Sequence, residues 1–298
     1  MIVAAIDQGT NTTRLVVGDV HDGLLDELHR ESRITRLGEG VDARGKLLPV
    51  PIARVRNVLS DYRRTAESFG AERTLLVATS AVRDAENGEA FLGEIEWSYG
   101  FATRLLSGDE EAELTRRGVG ELGSATLLVD IGGGSTELVL GDFHTSRPIG
   151  SVRFTERHGD DVAASVGAAR GLLPPLEPED AVGVAATITS LAALDLGLEE
   201  YDREHVHGHV LTRDGAYAQL ERLAALPLEE RRRVPALEPE RAPVIVAGGA
   251  ILVAILDAYG LEAIRVSERD ILDGAALAAA ELPKPEEGAA PPGAYTCC

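Results

Sequence analysis

The feature that most constrains this chain is that part of it repeats. Ile6-Asp7-Gln8-Gly9-Thr10-Asn11-Thr12-Thr13-Arg14-Leu15-Val16-Val17-Gly18-Asp19 aligns without a gap on Val129-Asp130-Ile131-Gly132-Gly133-Gly134-Ser135-Thr136-Glu137-Leu138-Val139-Leu140-Gly141-Asp142. In both copies an apolar run ends on an acidic residue, passes through a turn of Gly, Ser and Thr, and resumes as an apolar run. Each copy therefore reads as a β-hairpin. A repeated hairpin implies two related half-molecules. The 298 residues suffice for two domains with a core each. The boundary is expected near residues 121–125, with residues 1–122 as one domain and 123–282 as the other, its last helix free to pack back on the first. Residues 283–298, rich in Pro, Gly, Ala and Glu, read as a disordered tail.

Outside the hairpins, strands alternate with helices. Residues 74–79 read as strand, Ser80 as an N-cap and 81–92 as helix. Residues 102–106 read as strand and 109–118 as helix. Further on, 181–184 is a predicted strand that turns at 185–187 into a helix over 188–196. Likewise 244–246 is a predicted strand that turns at Ala247-Gly248-Gly249 into a helix ending at Ala258. Strand, small-residue turn, helix is the arrangement that aims backbone N–H groups at an anion.

The composition excludes several classes. With 44% apolar and 26% charged residues the chain is that of a folded globular protein. A net charge of −20 argues against a nucleic-acid partner. No apolar run reaches the roughly 18 residues that a membrane span needs. The start, Met1 to Ile6, enters an apolar strand without a preceding basic stretch, so the expected address is cytoplasmic. Cys297 and Cys298 are adjacent and terminal, which leaves no disulfide framework or cysteine-based metal site. That pair resembles a prenylation signal, but a short untethered tail is the preferred reading. All the basic side chains but Lys46 and Lys284 are Arg, whose planar fork suits phosphate oxygens. Genome base composition would produce the same bias.

Asp7 and Asp130 sit at matching strand ends, each before a turn whose backbone N–H groups can wrap phosphate oxygens. One Asp-x-Gly after a strand is an ordinary turn; the same motif twice in register is a signal. Facing each other across a cleft, the two carboxylates suit a hydrated Mg²⁺. Gly9, Thr10, Asn11 and Thr12 form one turn, and Gly132, Gly133, Gly134 and Ser135 the other, where the missing Cβ atoms allow close approach. Arg14 and Glu137 are equivalent in the repeat but opposite in charge. Arg14 suits a phosphate oxygen and Glu137 a metal or water, unless both are solvated strand residues. Arg83 falls early in a predicted helix, where a cation opposes the dipole, a mild cost that points to a ligand.

Ser107-Gly108-Asp109-Glu110-Glu111-Ala112-Glu113 crowds acids at a helix start. A capping box between Ser107 and Glu110, with the helix dipole, explains this without catalysis; a catalytic carboxylate is the rival. His205-Val206-His207-Gly208-His209 alternates as metal ligands on a strand would. Gly208 suggests a turn instead, and no fourth ligand is evident nearby.

Together these stretches resemble the exopolyphosphatase/guanosine pentaphosphate phosphohydrolase family in its short two-domain form. The matching segments are 7–15, Arg36-Leu37-Gly38-Glu39-Gly40-Val41, 79–84, 107–112, 130–137, 183–194, Val206-His207-Gly208 and 266–274, in the family's order. The most specific are the Ser-Gly-x-Glu-Glu-Ala at 107–112 and the Asp-x-Gly-Gly-Gly-Ser-Thr-Glu at 130–137.

The resemblance implies an α/β, actin-like ATPase (ribonuclease-H-like) duplicated fold, two domains with an interdomain cleft. It also implies processive hydrolysis of terminal orthophosphate from inorganic polyphosphate with Mg²⁺, or Mn²⁺ in its place. It places the general base on Glu111, the metal and water-positioning acids on Asp130 and Glu137, the phosphate loops on 9–12 and 132–135, and the family's arginine on Arg83. One departure stands out. The family's Gly-x-Gly-Gly-Thr reads Gly183-Val184-Ala185-Ala186-Thr187, which puts methyl groups into a phosphate-facing turn that ends on Thr187, a further substrate-binding residue. Guanosine pentaphosphate 5′-phosphohydrolase activity is the alternative within the family, and an actin-like nucleotide-binding regulator with little turnover the alternative outside it. The expected partner is inorganic polyphosphate or guanosine pentaphosphate, with no nucleic acid or membrane. A homodimer is left open.

Overall fold

The computed structural model describes residues 1–283. The tail expected from 283 on, Cys297 and Cys298 included, lies outside the described residues apart from Pro283. The chain divides into two compact units, residues 1–119 with the chain from Ile271, and residues 120–270. Among the described residues no helix is long and apolar enough to cross a membrane.

In the first unit β1 (Ile2–Gln8), β2 (Thr12–His21) and β3 (Leu24–Ile34) form an antiparallel meander. Then α1 (Val41–Arg44) and α2 (Pro49–Ser68) lead to β4 (Arg73–Ala78), which pairs parallel with β1. Proline at the start of α2 suits a position whose N–H has no intrahelical acceptor, and Gly70 just beyond its end takes a left-handed φ of 75°. After β4 come α3 (Ser80–Arg83), α4 (Gly88–Tyr99), β5 (Ala102–Leu105), parallel to β4, and α5 (Gly108–Val119). The sheet order is β3-β2-β1-β4-β5. The central β1 is apolar on both faces because both are covered. Ala4 and Ile6 pack with Val55, Leu59, Tyr62 and Ile95 of α2 and α4. Val3 and Ala5 pack with Leu272, Ala275, Ala276 and Ala279 from the far end of the chain.

The second unit runs β6 (Thr126–Ile131), β7 (Thr136–Leu140), β8 (Phe143–Arg147), α6 (Ser151–His158), α7 (Val162–Arg170), β9 (Asp180–Val184), α8 (Ala185–Asp195) and α9 (Arg203–Val206). It continues with β10 (Val210–Thr212), α10 (Arg213–Ala224), α11 (Leu228–Arg231), α12 (Ile245–Ala258) and β11 (Ala263–Val266). The sheet order is β10-β11-β9-β6-β7-β8. Its run β8-β7-β6-β9-β11 repeats β3-β2-β1-β4-β5 in pairing and direction, with β10 added at one edge. The repeat in the sequence is thus a repeat of whole sheets. The chain then rejoins the first unit as α13 (Ile271–Ala280), whose Gly274 crosses α5 so closely that a Cβ would stand 1.9 Å from the Leu114 carbonyl oxygen.

Four local expectations are corrected. The helix over 81–92 is two helices, because Asn87 leaves the helical path to bond both the N–H (2.8 Å) and C=O (3.1 Å) of Leu47, and Gly88 packs on the Val82 carbonyl. Ser80 is the first residue of α3 rather than its cap, a position taken by Thr79. Residues 185–187 form no separate turn: α8 begins at Ala185, directly after β9. Residues 244–249 form no strand and turn. They open α12, where Gly248 and Gly249 let Thr187 and Leu220 approach and Ile245 to Leu256 are all buried. Continuous burial removes the periodicity that would have marked this run as helix.

Candidate active site

The loop between β1 and β2 is fixed from behind. Gly9 N–H donates to the Thr12 carbonyl at 3.0 Å, closing the turn. The Thr10 carbonyl accepts from Gly38 N–H at 2.8 Å, and the Asn11 carbonyl from the N–H groups of Thr35 (3.0 Å) and Arg36 (2.9 Å). Gly38 has to be glycine, since a Cβ would lie 2.2 Å from the Thr10 methyl. With its carbonyls turned inward, the loop keeps its opposite face for an anion. At the loop's mouth Asp7 and Arg14 are register partners, and Asp7 Oδ2 accepts from Arg14 Nε (3.0 Å) and Nη2 (2.6 Å).

Thr10 Oγ1 lies 3.3 Å from Ser80 Oγ, which ties this loop to α3, the helix that carries Arg83. Arg83 Nη1 donates to the Leu106 carbonyl at 2.7 Å and to Glu111 Oε2 at 3.0 Å. The two rival explanations of the acidic helix start are divided between neighbours. Glu110 makes the capping box: its Oε2 accepts from Ser107 N–H and Oγ, both at 2.8 Å, and its own N–H donates to Ser107 Oγ at 3.2 Å. These bonds hold the Glu110 carboxyl below the usual range. Glu111, about 100° further round the helix, turns inward to 7% exposure. Capping does not account for a buried carboxylate.

The second unit repeats the bond that closes the loop. Gly132 N–H donates to the Ser135 carbonyl at 3.0 Å, as Gly9 does to Thr12. Asp130 faces Glu137 as Asp7 faces Arg14, so the ion pair of one hairpin becomes a pair of acids in the other. Both are buried, at 7% and 2% exposure, and Ser146 Oγ donates to Glu137 Oε1 at 2.7 Å. Gly150, whose Cβ would meet the Gly133 carbonyl oxygen at 2.4 Å, backs this loop as Gly38 backs the other. Ser146 and Gly150 carry no motif by which the sequence would single them out.

The Ppx/GppA phosphatase family model matches residues 16–280. This chain belongs to that family. It is 41% identical to exopolyphosphatase 2 of Mycobacterium tuberculosis, over 93% of this chain and 98% of that protein. To a guanosine-5'-triphosphate,3'-diphosphate pyrophosphatase of Vibrio vulnificus it is 30% identical, over 92% of this chain and 58% of that one. Among solved structures, a Ppx/GppA family member from Aquifex aeolicus matches with a TM-score of 0.75 and 30% identity, covering 93% of this chain and 97% of that chain. The fold is the actin-like ATPase, ribonuclease-H-like one.

Where the Ppx/GppA pattern has two glycines before the threonine, this member's alanines differ in strain. Ala185 is held at φ 67°, in the left-handed region that glycine enters freely. Ala186 is not among the residues at positive φ. Thr187, in the first turn of α8, is buried against Gly248, where a Cβ would come within 2.7 Å of its methyl group.

The family implies a metal ion. Among the described residues no group of three or more His, Cys, Asp or Glu side chains is placed to hold a cation. The histidines of 205–209 have other partners: His205 pairs with Asp202 (2.8 Å), His209 with Asp195 (2.9 Å), and His207 Nδ1 accepts from Glu268 N–H (3.2 Å). Mg²⁺ needs no protein cage, since one or two carboxylates with water and substrate phosphates complete its shell. Asp130 and Glu137 provide such oxygens on adjacent strands, so the residues fit the ion.

Proposed function

We propose that this protein is an exopolyphosphatase, releasing terminal orthophosphate from inorganic polyphosphate by Mg²⁺-dependent hydrolysis. The observation that carries the proposal is Glu111, buried beside Arg83 and outside the capping box that its neighbour Glu110 makes. The Mycobacterium tuberculosis relative, matched over 98% of its length, supports polyphosphate as the substrate class. The guanosine-nucleotide relative is matched over 58%.

In this reading the glycine-rich loop of each unit offers its backbone N–H groups to phosphate oxygens. Arg83 holds Glu111 by its Oε2 and balances its charge, leaving the carboxylate to accept a proton from water. The water oxygen attacks the terminal phosphorus, the bridging P–O bond breaks, and the shortened chain leaves with the bridging oxygen. Arg14, steadied by Asp7, would grip a phosphoryl oxygen. Thr187 would contribute its hydroxyl to the same substrate. Mg²⁺, held by Asp130 and Glu137, would offset charge on the phosphoryl oxygens. No covalent enzyme intermediate is required.

The test is orthophosphate release by the purified protein from polyphosphate and, separately, from guanosine pentaphosphate, with Mg²⁺ and with excess EDTA. The expected result is release from polyphosphate that stops on chelation. Faster turnover of guanosine pentaphosphate would transfer the assignment to that substrate. ATP binding with neither substrate hydrolysed would favour a regulator. Full activity in EDTA would remove the metal.

A further inference from the structure

The carbonyl groups of the loop at 132–135 are held by one short segment. Gly132 O accepts from Ser151 N–H (3.0 Å) and Ser151 Oγ (3.3 Å), and Gly133 O from the N–H groups of Val152 (2.8 Å) and Arg153 (3.1 Å). Gly134 O accepts from the guanidinium Nε of Arg153 at 2.8 Å. The backbone donors are the first turn of α6, whose N–H groups have no acceptor within the helix. A helix start of this kind often meets an anion directly. Here it meets the loop's carbonyls. Because the C=O and N–H on either side of a planar peptide point in opposite directions, each carbonyl held at the back presents an N–H toward the other face.

The two loops differ in how much holding they need. The loop at 9–12 has side chains on Thr10 and Asn11 that restrict its backbone, and its carbonyls are held by backbone N–H groups of Thr35, Arg36 and Gly38. The loop at 132–135 has three glycines in succession, which lose the most conformational freedom on being fixed. The charged side-chain donor occurs at this loop, on the last of its glycines.

We propose that Arg153 is a positioning residue, which keeps the loop at 132–135 in its anion-binding conformation through the bond from its guanidinium to the Gly134 carbonyl. It acts on substrate only through the loop. The proposal takes its ligand, inorganic polyphosphate, from the function proposed above.

The experiment compares the wild-type protein with Arg153→Ala and Arg153→Lys. Its first readout, amide hydrogen exchange over 132–135 in the full chain without ligand, does not depend on the activity. A hydrogen bond from a charged donor contributes about 1.5–3 kcal/mol, so these amides should exchange about tenfold faster or more in Arg153→Ala. The second readout is the split between KM and kcat on polyphosphate. KM should rise about tenfold with kcat little changed, guanidinium ion added at millimolar concentration should lower the KM of Arg153→Ala but not of wild type, and Arg153→Lys should fall between the two. If Arg153→Ala does not fold, the lysine variant carries both readouts with the same expected directions. Unchanged loop exchange, or an unchanged KM in a folded variant, overturns the proposal. If wild type hydrolyses no polyphosphate, the functional reading fails by itself, and the exchange rates still decide the role of Arg153.

Discussion

Two neighbouring glutamates differ here in everything but sequence position. Glu110 is exposed and bonded to Ser107, while Glu111 is buried and bonded to Arg83. Spacing alone left a capping carboxylate and a catalytic one as rivals, because helix register decides which of two adjacent side chains faces inward. The family motif points to Glu111, and the geometry separates that residue from the capping box. Ala185 is a second case. A left-handed backbone costs an L-residue about 1–2 kcal/mol, and the added freedom of glycine in the unfolded chain costs about 0.5–1 kcal/mol. Ala185→Gly is therefore expected to leave the protein unchanged or raise its stability by up to about 1 kcal/mol, read as the melting temperature. A loss of that size instead would show that Ala185 is under no strain. The sequence identifies the replaced glycines but not which alanine is strained, since φ depends on how β9 passes into α8.

Among the elements, the paired hairpins were the most legible, because an acidic residue, a glycine turn and flanking apolar strands are enforced by local chemistry at both places. The opening of α12 was not, since a helix buried on every side shows the same apolar run as a strand. Its glycines, which suggest a turn, are there for packing against Thr187 and Leu220. Glycines in helices can thus be sorted by surroundings, and two substitutions test the sorting. Gly274→Ala, with the Leu114 carbonyl oxygen 1.9 Å from the added Cβ, should destabilise by about 1–3 kcal/mol. Gly93→Ala, on α4 with nothing within 4 Å of its added Cβ, should stabilise by about 0.5–1 kcal/mol. Equal shifts in melting temperature would contradict the packing of α13 on α5. The cap of α5 adds a pH dependence. The Glu110 carboxyl is held low in the folded state by Ser107, so its contribution is fully present above the ordinary glutamate value near pH ~4.3 and is lost below it, as pH falls through the lowered folded-state value. The stability gap between wild type and Glu110→Ala should close in acid; a gap constant to about pH 2 would remove the charge from the cap.

In the molecule as a whole, the duplicated sheets place two copies of one loop at corresponding ends of their central strands, and the copies have diverged in charge. The first hairpin carries the Asp7 and Arg14 ion pair, the second the Asp130 and Glu137 acids. The proton transfer proposed at Glu111 is tested by orthophosphate release from polyphosphate by wild type, Glu111→Gln and Glu110→Gln. Loss of the base should lower kcat by about 10² to 10⁴ in Glu111→Gln, with polyphosphate still bound. Glu110→Gln, which keeps a side chain able to cap, should remain near wild type. Small and equal effects of the two substitutions on kcat would contradict the account.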